Sequence, residues 1–172
     1  MKRKTAAEFL SELESDSDWT NQRAIRERSV NERAATHAAD ERELVAEIRD
    51  AGYDIDSVYD LVNNEPHPVL ARRFIGPYPA AYSSLIRHLS IPHLPAIREG
   101  IVRALTVKDG GSEVEAALLA AFAGETDPHL RFVLANALRT AMPYQRRKKY
   151  PEIGAALKET KRDSSAPPSN TR

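Results

Sequence analysis

The sequence contains no cysteine and few aromatic residues. The absence of cysteine in 172 residues excludes disulfides, thiolate metal sites and cysteine nucleophiles, and it suits a reducing compartment. Aromatic residues make up 6% of the chain and apolar residues 41%, both low for a uniformly compact domain. We therefore expect one folded part and a more polar part.

Long apolar runs and net charge are also missing. No stretch approaches the roughly 18 apolar residues that a transmembrane helix needs. The basic start Met1–Lys4 resembles that of a signal peptide, but Glu8, Glu12 and Glu14 interrupt the segment that follows. The 25 basic and 25 acidic residues balance, so no overall field recruits nucleic acid or an anionic membrane. We expect a cytoplasmic protein without a membrane partner.

Residues 5–14 carry apolar side chains at helical spacing, with Thr5 and Glu8 placed as a capping box. The apolar positions are Ala6, Phe9, Leu10 and Leu13. This pattern predicts a short helix. Its apolar stripe either docks on the rest of the protein or is offered to a partner.

A long run from Asp18 to Asp50 lacks both proline and glycine and is rich in alanine, arginine and glutamate, which favours a helix. Between Trp19 and Leu44 its only large aliphatic residues are Ile25 and Val30. A helix that is polar on nearly all sides is either a solvated arm or a weak coiled-coil strand. The sequence leaves the arm, dimerisation and the oligomeric state open.

Apolar periodicity returns at Leu44 and continues to about residue 160. Gly52 is expected to end the first of these helices, and Asp54 to cap the next. The core face of that next helix is expected to comprise Ile55, Val58, Tyr59 and Val62. Residues 63–68 read as a loop, and residues 69–75 as at most two helical turns.

Two similar helical hairpins follow, with expected helices at 80–90, 96–107, 113–123 and 130–142. An offset of 33 residues superposes them. The matching pairs are Leu85 and Leu118, Ile86 and Leu119, Leu89 and Phe122, Pro95 and Pro128, Ile97 and Leu130, Arg98 and Arg131, Ile101 and Leu134, Ala104 and Ala137, and Leu105 and Leu138. The turn proline begins the second helix of each hairpin, where its missing N–H costs nothing. Each hairpin exposes an apolar stripe that only a neighbouring hairpin buries.

The stretches Ile97–Leu105 and Leu130–Leu138 resemble HEAT repeats, and especially the short, stand-alone HEAT-like proteins common in bacteria. The resemblance covers roughly residues 79–142. It implies an all-α fold, a short right-handed α-solenoid of HEAT-like helical hairpins with the long N-terminal helix as an arm. HEAT arrays are scaffolds that bind proteins or, less often, nucleic acid, and the family has no common catalytic residue.

The chain is therefore divided into three parts. Residues 1–43 hold the N-terminal helix and the polar helical arm, and residues 44–160 hold the repeat domain. Within this domain, residues 152–158 are expected to form a helix that caps the stack. Residues 161–172 have no apolar anchor and are expected to be disordered.

The second helices of the hairpins offer the best candidate binding surface. Residues off their apolar faces form a strip of mixed charge: Arg98, Val102, Arg103, Arg131, Phe132, Asn136 and Arg139. Val102 and Phe132 are the expected apolar anchors, because interfaces depend on a few buried side chains. This surface predicts a protein-interaction module or adaptor whose partner the sequence does not identify.

A basic segment favours nucleic acid as the alternative partner. Its candidate binding residues are Tyr144, Arg146, Arg147, Lys148 and Lys149, with Tyr150 beyond them. Adjacent cations beside aromatic rings suit a phosphate backbone and stacked bases. The competing interpretation is a solvated run that neutralises the carboxyl end of the preceding helix.

Nothing in the sequence favours catalysis. No two histidines have the i,i+4 spacing of a helical metal site; they are His37, His67, His88, His93 and His129. We interpret His93 and His129 as solvated turn residues. Gly110 and Gly111 lack the lysine and spacing of a phosphate loop. We expect no enzyme, no metal and no cofactor.

Overall fold

The computed structural model describes residues 5–7, 15–62 and 76–163, with the backbone alone in 159–163. In these ranges it contains nine α-helices and no strand, which confirms the all-helical prediction. The helices are α1 (Ser17–Asp40), α2 (Arg42–Asp50), α3 (Tyr59–Val62), α4 (Tyr82–Leu89), α5 (Pro95–Ala104), α6 (Gly111–Gly124), α7 (Pro128–Ala141), α8 (Tyr144–Arg147) and α9 (Pro151–Asp163). Among the described residues, no helix combines the length and the apolar character needed to cross a bilayer.

The chain divides into two compact units, residues 1–39 and residues 40–172. In the first unit, Asp16 caps α1 by accepting a hydrogen bond from the backbone N–H of Trp19 at 3.2 Å. All residues of α1 are described and none of them is buried. Ile25 and Val30 are 63% and 54% exposed. Of the helix expected at 5–14, Ala6 and Ala7 are helical, and residues 8–14 lie outside the described residues.

In the second unit, α2 ends as predicted at a glycine. Gly52 has φ +97°, and the backbone N–H of Tyr53 reaches back to the Ile48 carbonyl at 3.2 Å. The helix predicted after Asp54 is shorter than expected and begins only at Tyr59.

Two carboxylates determine the backbone ahead of α3. Asp60 accepts hydrogen bonds from the backbone N–H groups of Asp56 and Ser57, and the buried Glu41 accepts one from the N–H of Val58 at 2.8 Å. These side chains replace the intrahelical bonds of the missing first turn. Ile55 and Val58 are still fully buried, as predicted.

The helices of the second unit pack in a regular order. Helix α4 packs on α5 and α6 on α7, while α4 also contacts α6 and α5 also contacts α7. One step earlier, α2 contacts α4, and α3 contacts α5. Equivalent positions of the two hairpins are buried in both: Leu85 and Leu118, Leu89 and Phe122, Ile97 and Leu130, Ile101 and Leu134, Ala104 and Ala137, and Leu105 and Leu138.

The helix ends differ from the predictions in detail. Helix α5 ends at Ala104, three residues before the expected end. Helix α6 begins at Gly111, which has a φ of +70°, and it therefore includes Ser112. Helix α9 packs on α7 through the buried Ile153 and Ala156. It runs to Asp163, so residues 161–163 are helical and 164–172 lie outside the described residues, as do the loop and helical turns expected at 63–75.

Candidate functional site

A shallow pocket brings together three of the residues predicted to bind a partner. Arg103 of α5 and Phe132 and Asn136 of α7 line it. Its volume is about 270 Å³, and its other lining residues are Val62, Thr106 and Val133. Phe132 is half-buried against the core and also lines the pocket. Hereafter this is the α5–α7 pocket.

A hydrogen-bonded chain of three side chains reaches the α5–α7 pocket through Arg103. The Arg103 guanidinium donates to Glu99 at 2.7 Å, and the other Glu99 oxygen lies 3.0 Å from the His129 ring. Burial acts to raise the pKa of Glu99, but the hydrogen bonds and charges of Arg103 and His129 outweigh it and lower that pKa. Arg103 stays nearly half exposed, so its cation remains accessible to a partner.

The exposure predicted for Val102 is wrong. Its side chain is completely buried. Helix α5 contacts α3, α4 and α7, so a wider arc of its surface faces protein than a single amphipathic stripe would cover. Phe132 is thus the remaining apolar anchor. Arg139 is exposed one turn beyond Asn136.

Arg98 and Arg131 contact the α6–α7 turn instead of forming one surface with Arg103. Arg98 forms an ion pair with the buried Glu125 at 2.9 Å. Arg131 donates to the carbonyls of Phe122 and Glu125 at 3.0 and 3.2 Å, and its guanidinium lies 4.1 Å from the Phe122 ring centroid. Both arginines therefore hold the α6–α7 turn in place.

The basic segment is split by its internal contacts. Arg146 forms an ion pair with the buried Glu115 at 2.6 Å. Arg147 donates to the carbonyl of Arg139 at 2.7 Å, near the carboxyl end of α7, as the dipole interpretation predicts. Lys148 and Lys149 are exposed.

Tyr144 is the one member of the segment that offers a large aromatic face to solvent. It is 62% exposed, and the Lys148 ammonium lies 5.0 Å from its ring centroid. Tyr150 instead packs partly against the core. The surface left to a polyanion is therefore Tyr144, Lys148 and Lys149.

The sequence interpretation missed a buried pair of histidines. His88 Nδ1 lies 2.9 Å from His93 Nε2, and His93 Nδ1 lies 2.9 Å from the Asp40 carboxylate. Asp40 also accepts from the backbone N–H of Leu94 at 3.1 Å. Burial, the Arg87 charge and His93 together lower the pKa of His88. His93 is therefore no solvated turn residue, whereas His129 is exposed as expected.

The turn between α4 and α5 was the sequence signal that could have revealed this pair. His88 and His93 are five residues apart, one on α4 and one in the turn before α5, and a sharp turn returns the chain over that interval. Asp40 is too distant in sequence for spacing to reveal it.

Comparison of the chain with family models, curated proteins and solved structures gives no match.

Proposed function

We propose that this protein is a protein-interaction module or adaptor built on a short right-handed HEAT-like α-solenoid. The α2–α3 segment and the two hairpins would be its successive units. The support is the packing order, in which α4 contacts α5 and α6 contacts α7, while α2, α3, α4 and α5 each contact the corresponding helix of the next unit. Such stacking is how repeat proteins bury stripes that a single hairpin leaves exposed.

The partner would bind at the α5–α7 pocket. One observation carries this proposal: Arg103, Phe132 and Asn136, which are separated in the sequence, surround one cavity. The aromatic side chain suits an apolar group, Asn136 suits a peptide group, and Arg103 suits a carboxylate, while Arg139 is exposed beyond the pocket. The expected ligand is a short protein segment with an apolar residue next to an acidic one.

A displayed library of random peptides, selected on the full chain, tests the pocket. We expect enriched peptides to share an apolar–acidic pair, and a synthetic peptide of that sequence to bind in fluorescence anisotropy. Phe132→Asp and Arg103→Glu should each weaken binding at least about tenfold, a typical loss for an interface anchor.

The matched control is Ile91→Asp, which places the same charge on an exposed apolar residue of the α4–α5 turn. This variant should bind as the wild type does, and circular dichroism should show that all variants are folded. A library without enrichment, or peptides that bind Phe132→Asp as tightly as Ile91→Asp, would refute the pocket.

The second candidate function is binding of single-stranded nucleic acid at Tyr144, Lys148 and Lys149. The exposed ring beside two exposed cations favours it, because bases stack on aromatic faces while cations contact phosphates. Anisotropy with labelled DNA should show affinity that falls with salt, with a log–log slope of about −1.4 for two phosphates.

The variants for this test follow from the split of the basic segment. Lys148→Glu with Lys149→Glu should abolish binding, whereas Lys108→Glu on another exposed turn should not. Arg146 and Arg147 are poor targets because they contact Glu115 and the end of α7. Salt-independent binding, or no binding at low salt, would refute this function.

A further inference from the structure

Two carboxylates and one buried imidazole converge between α2 and α4, away from the α5–α7 pocket. Glu43 and Glu47 are one helical turn apart and so lie on the same face of α2. One potential ligand atom from each of them and one from His88 lie within 4.8 Å of one another. His88 Nε2 lies 3.5 Å from Glu47 Oε1.

The Asp40–His93–His88 chain fixes which nitrogen of His88 is available. A carboxylate only accepts hydrogen bonds, so His93 donates to Asp40 through Nδ1 and presents Nε2 as an acceptor. His88 then donates to it through Nδ1. Its own Nε2 keeps a lone pair that faces the two glutamates. A metal-binding histidine is typically oriented in this way, by donating its other ring N–H.

Arg87 shows that this cluster attracts a cation. Its guanidinium contacts the Glu47 carboxylate directly, and it lies 3.6 Å from Glu43 and 3.4 Å from His88 Nε2. It thus touches all three groups. With Arg87 in place, one of the two carboxylate charges is neutralised and the other is not.

We infer that Glu43, Glu47 and His88 form a binding site for a divalent transition-metal ion of the Zn²⁺ type, which Arg87 occupies in the metal-free protein. One nitrogen and two carboxylate ligands leave a fourth position for water, as in open zinc sites. Ligand bonds of about 2.0–2.2 Å place the donor atoms roughly 3.4 Å apart in a tetrahedron. The exposed Glu43 can close the remaining gap by rotating its side chain.

The site would be specific to the first hairpin. At the offset of 33 residues, Arg87 and His88 correspond to Ala120 and Ala121. Calcium and magnesium, which prefer all-oxygen ligands, should bind more weakly than Zn²⁺ or Co²⁺. Bound metal would link α2 to α4 and stabilise the folded state by mass action.

Titration of the untagged full chain with Zn²⁺ by calorimetry, and with Co²⁺ by visible absorption, tests the site. We expect one ion per chain and a rise in melting temperature with Zn²⁺. Glu43→Gln and Glu47→Gln should each weaken binding at least about tenfold, because the loss of one ligand removes both a bond and a charge. Both substitutions preserve side-chain size and keep the buried His88, and circular dichroism checks that the variants are folded.

Two further variants give the test its direction. Arg87→Gln removes the competing cation and should bind Zn²⁺ at least about tenfold more tightly than the wild type. Glu99→Gln alters a different glutamate–histidine pair, with His129, and should leave affinity unchanged. Three results would overturn the inference: no binding by wild type or Arg87→Gln at millimolar Zn²⁺, binding by Arg87→Gln alone, or binding undiminished in both glutamate variants.

Discussion

The two hairpins, α4–α5 and α6–α7, share their core positions but not their polar contacts. Residues 33 positions apart are buried in both, such as Leu105 and Leu138. The two histidines of the first hairpin have no chemical counterpart in the second, where His88 and His93 correspond to Ala121 and Thr126. The apolar register determines how the hairpins stack, because burial of equivalent stripes is what stacking achieves.

The polar contacts distinguish the two turns. In the first hairpin the turn is held from outside by Asp40, which contacts His93 and the backbone of Leu94. In the second hairpin Asp127 caps α7 and Arg131 contacts Phe122 from within, while Arg98 of α5 forms an ion pair with Glu125 from outside. Hairpin residues of both proposed sites lie at positions where the two hairpins differ: Arg103 corresponds to Asn136, Phe132 to Glu99, and His88 to Ala121.

The largest expected effect tests the shared core. Leu105→Ala and Leu138→Ala should each lower the free energy of unfolding by about 2–5 kcal/mol, because both leucines are fully buried and alanine leaves a cavity. Urea denaturation measures it. Ile25→Ala, on the exposed surface of α1, should change it by less than about 0.5 kcal/mol. A surface-like effect at either leucine would show that the two hairpins do not share one register.

The sequence predicts the helices and core of the second unit well, because apolar periodicity follows directly from burial on one face. It fails for Val102, since a helix with neighbours on several sides buries more than one stripe. It also fails for Asp40 and His93, which are 53 residues apart. Hydrogen-bond partners brought together by tertiary packing leave no periodic signal in the chain.

The candidate pocket is predicted in part. Arg103, Phe132 and Asn136 were identified because they lie off the apolar stripe, and the structure places them around one cavity. Arg98 and Arg131 lie off the stripe as well, yet their side chains reach back to the turn. Long arginine side chains reach several alternative partners, and only the fold determines which of them is within range.

The second-largest effect concerns Gly100 in α5, a position at which the two hairpins differ. A Cβ added to Gly100 would lie 2.6 Å from Val58 Cγ1, whereas the equivalent residue of the second hairpin is Val133. Gly100→Ala should therefore lower the free energy of unfolding by about 1–3 kcal/mol, because the added methyl group overpacks the contact with Val58, despite alanine's higher helix propensity. Thermal unfolding measures it.

Gly154→Ala is the matched control for Gly100→Ala. It lies in α9 with open space around its added Cβ, so this variant should gain up to about 1 kcal/mol from helix propensity. If both variants were stabilised, the close approach of α3 and α5 would be contradicted.

A smaller change in stability tests the Asp127 cap, which the turn of the first hairpin lacks. Asp127 accepts from the backbone N–H of Leu130 at 2.8 Å and caps α7, so Asp127→Ala should cost about 0.5–2 kcal/mol. Asp127→Asn retains the cap and should cost much less. The corresponding residue of the first hairpin, Leu94, makes no capping hydrogen bond. Urea denaturation measures the free energy of unfolding of the two Asp127 variants, and equal losses for Asp127→Ala and Asp127→Asn would contradict the capping role.

The smallest expected effect is a pH-dependent change in stability at Glu99. The hairpins differ in charge at this position, because Glu99 of the first corresponds to Phe132 of the second. Because the fold lowers the pKa of Glu99 below its ordinary 4.5, its ion pairs stabilise the protein above that pH. This contribution is lost as the pH falls through the folded-state pKa. Glu99→Gln should cost less than about 1 kcal/mol at pH 7, as for other exposed ion pairs, and should lose less stability than wild type on acidification.

Phe132→Leu changes no titratable group and should keep the wild-type pH dependence. Urea denaturation from pH 7 to pH 3 measures all three proteins, and parallel curves for wild type and Glu99→Gln would show that Arg103 and His129 do not stabilise this carboxylate.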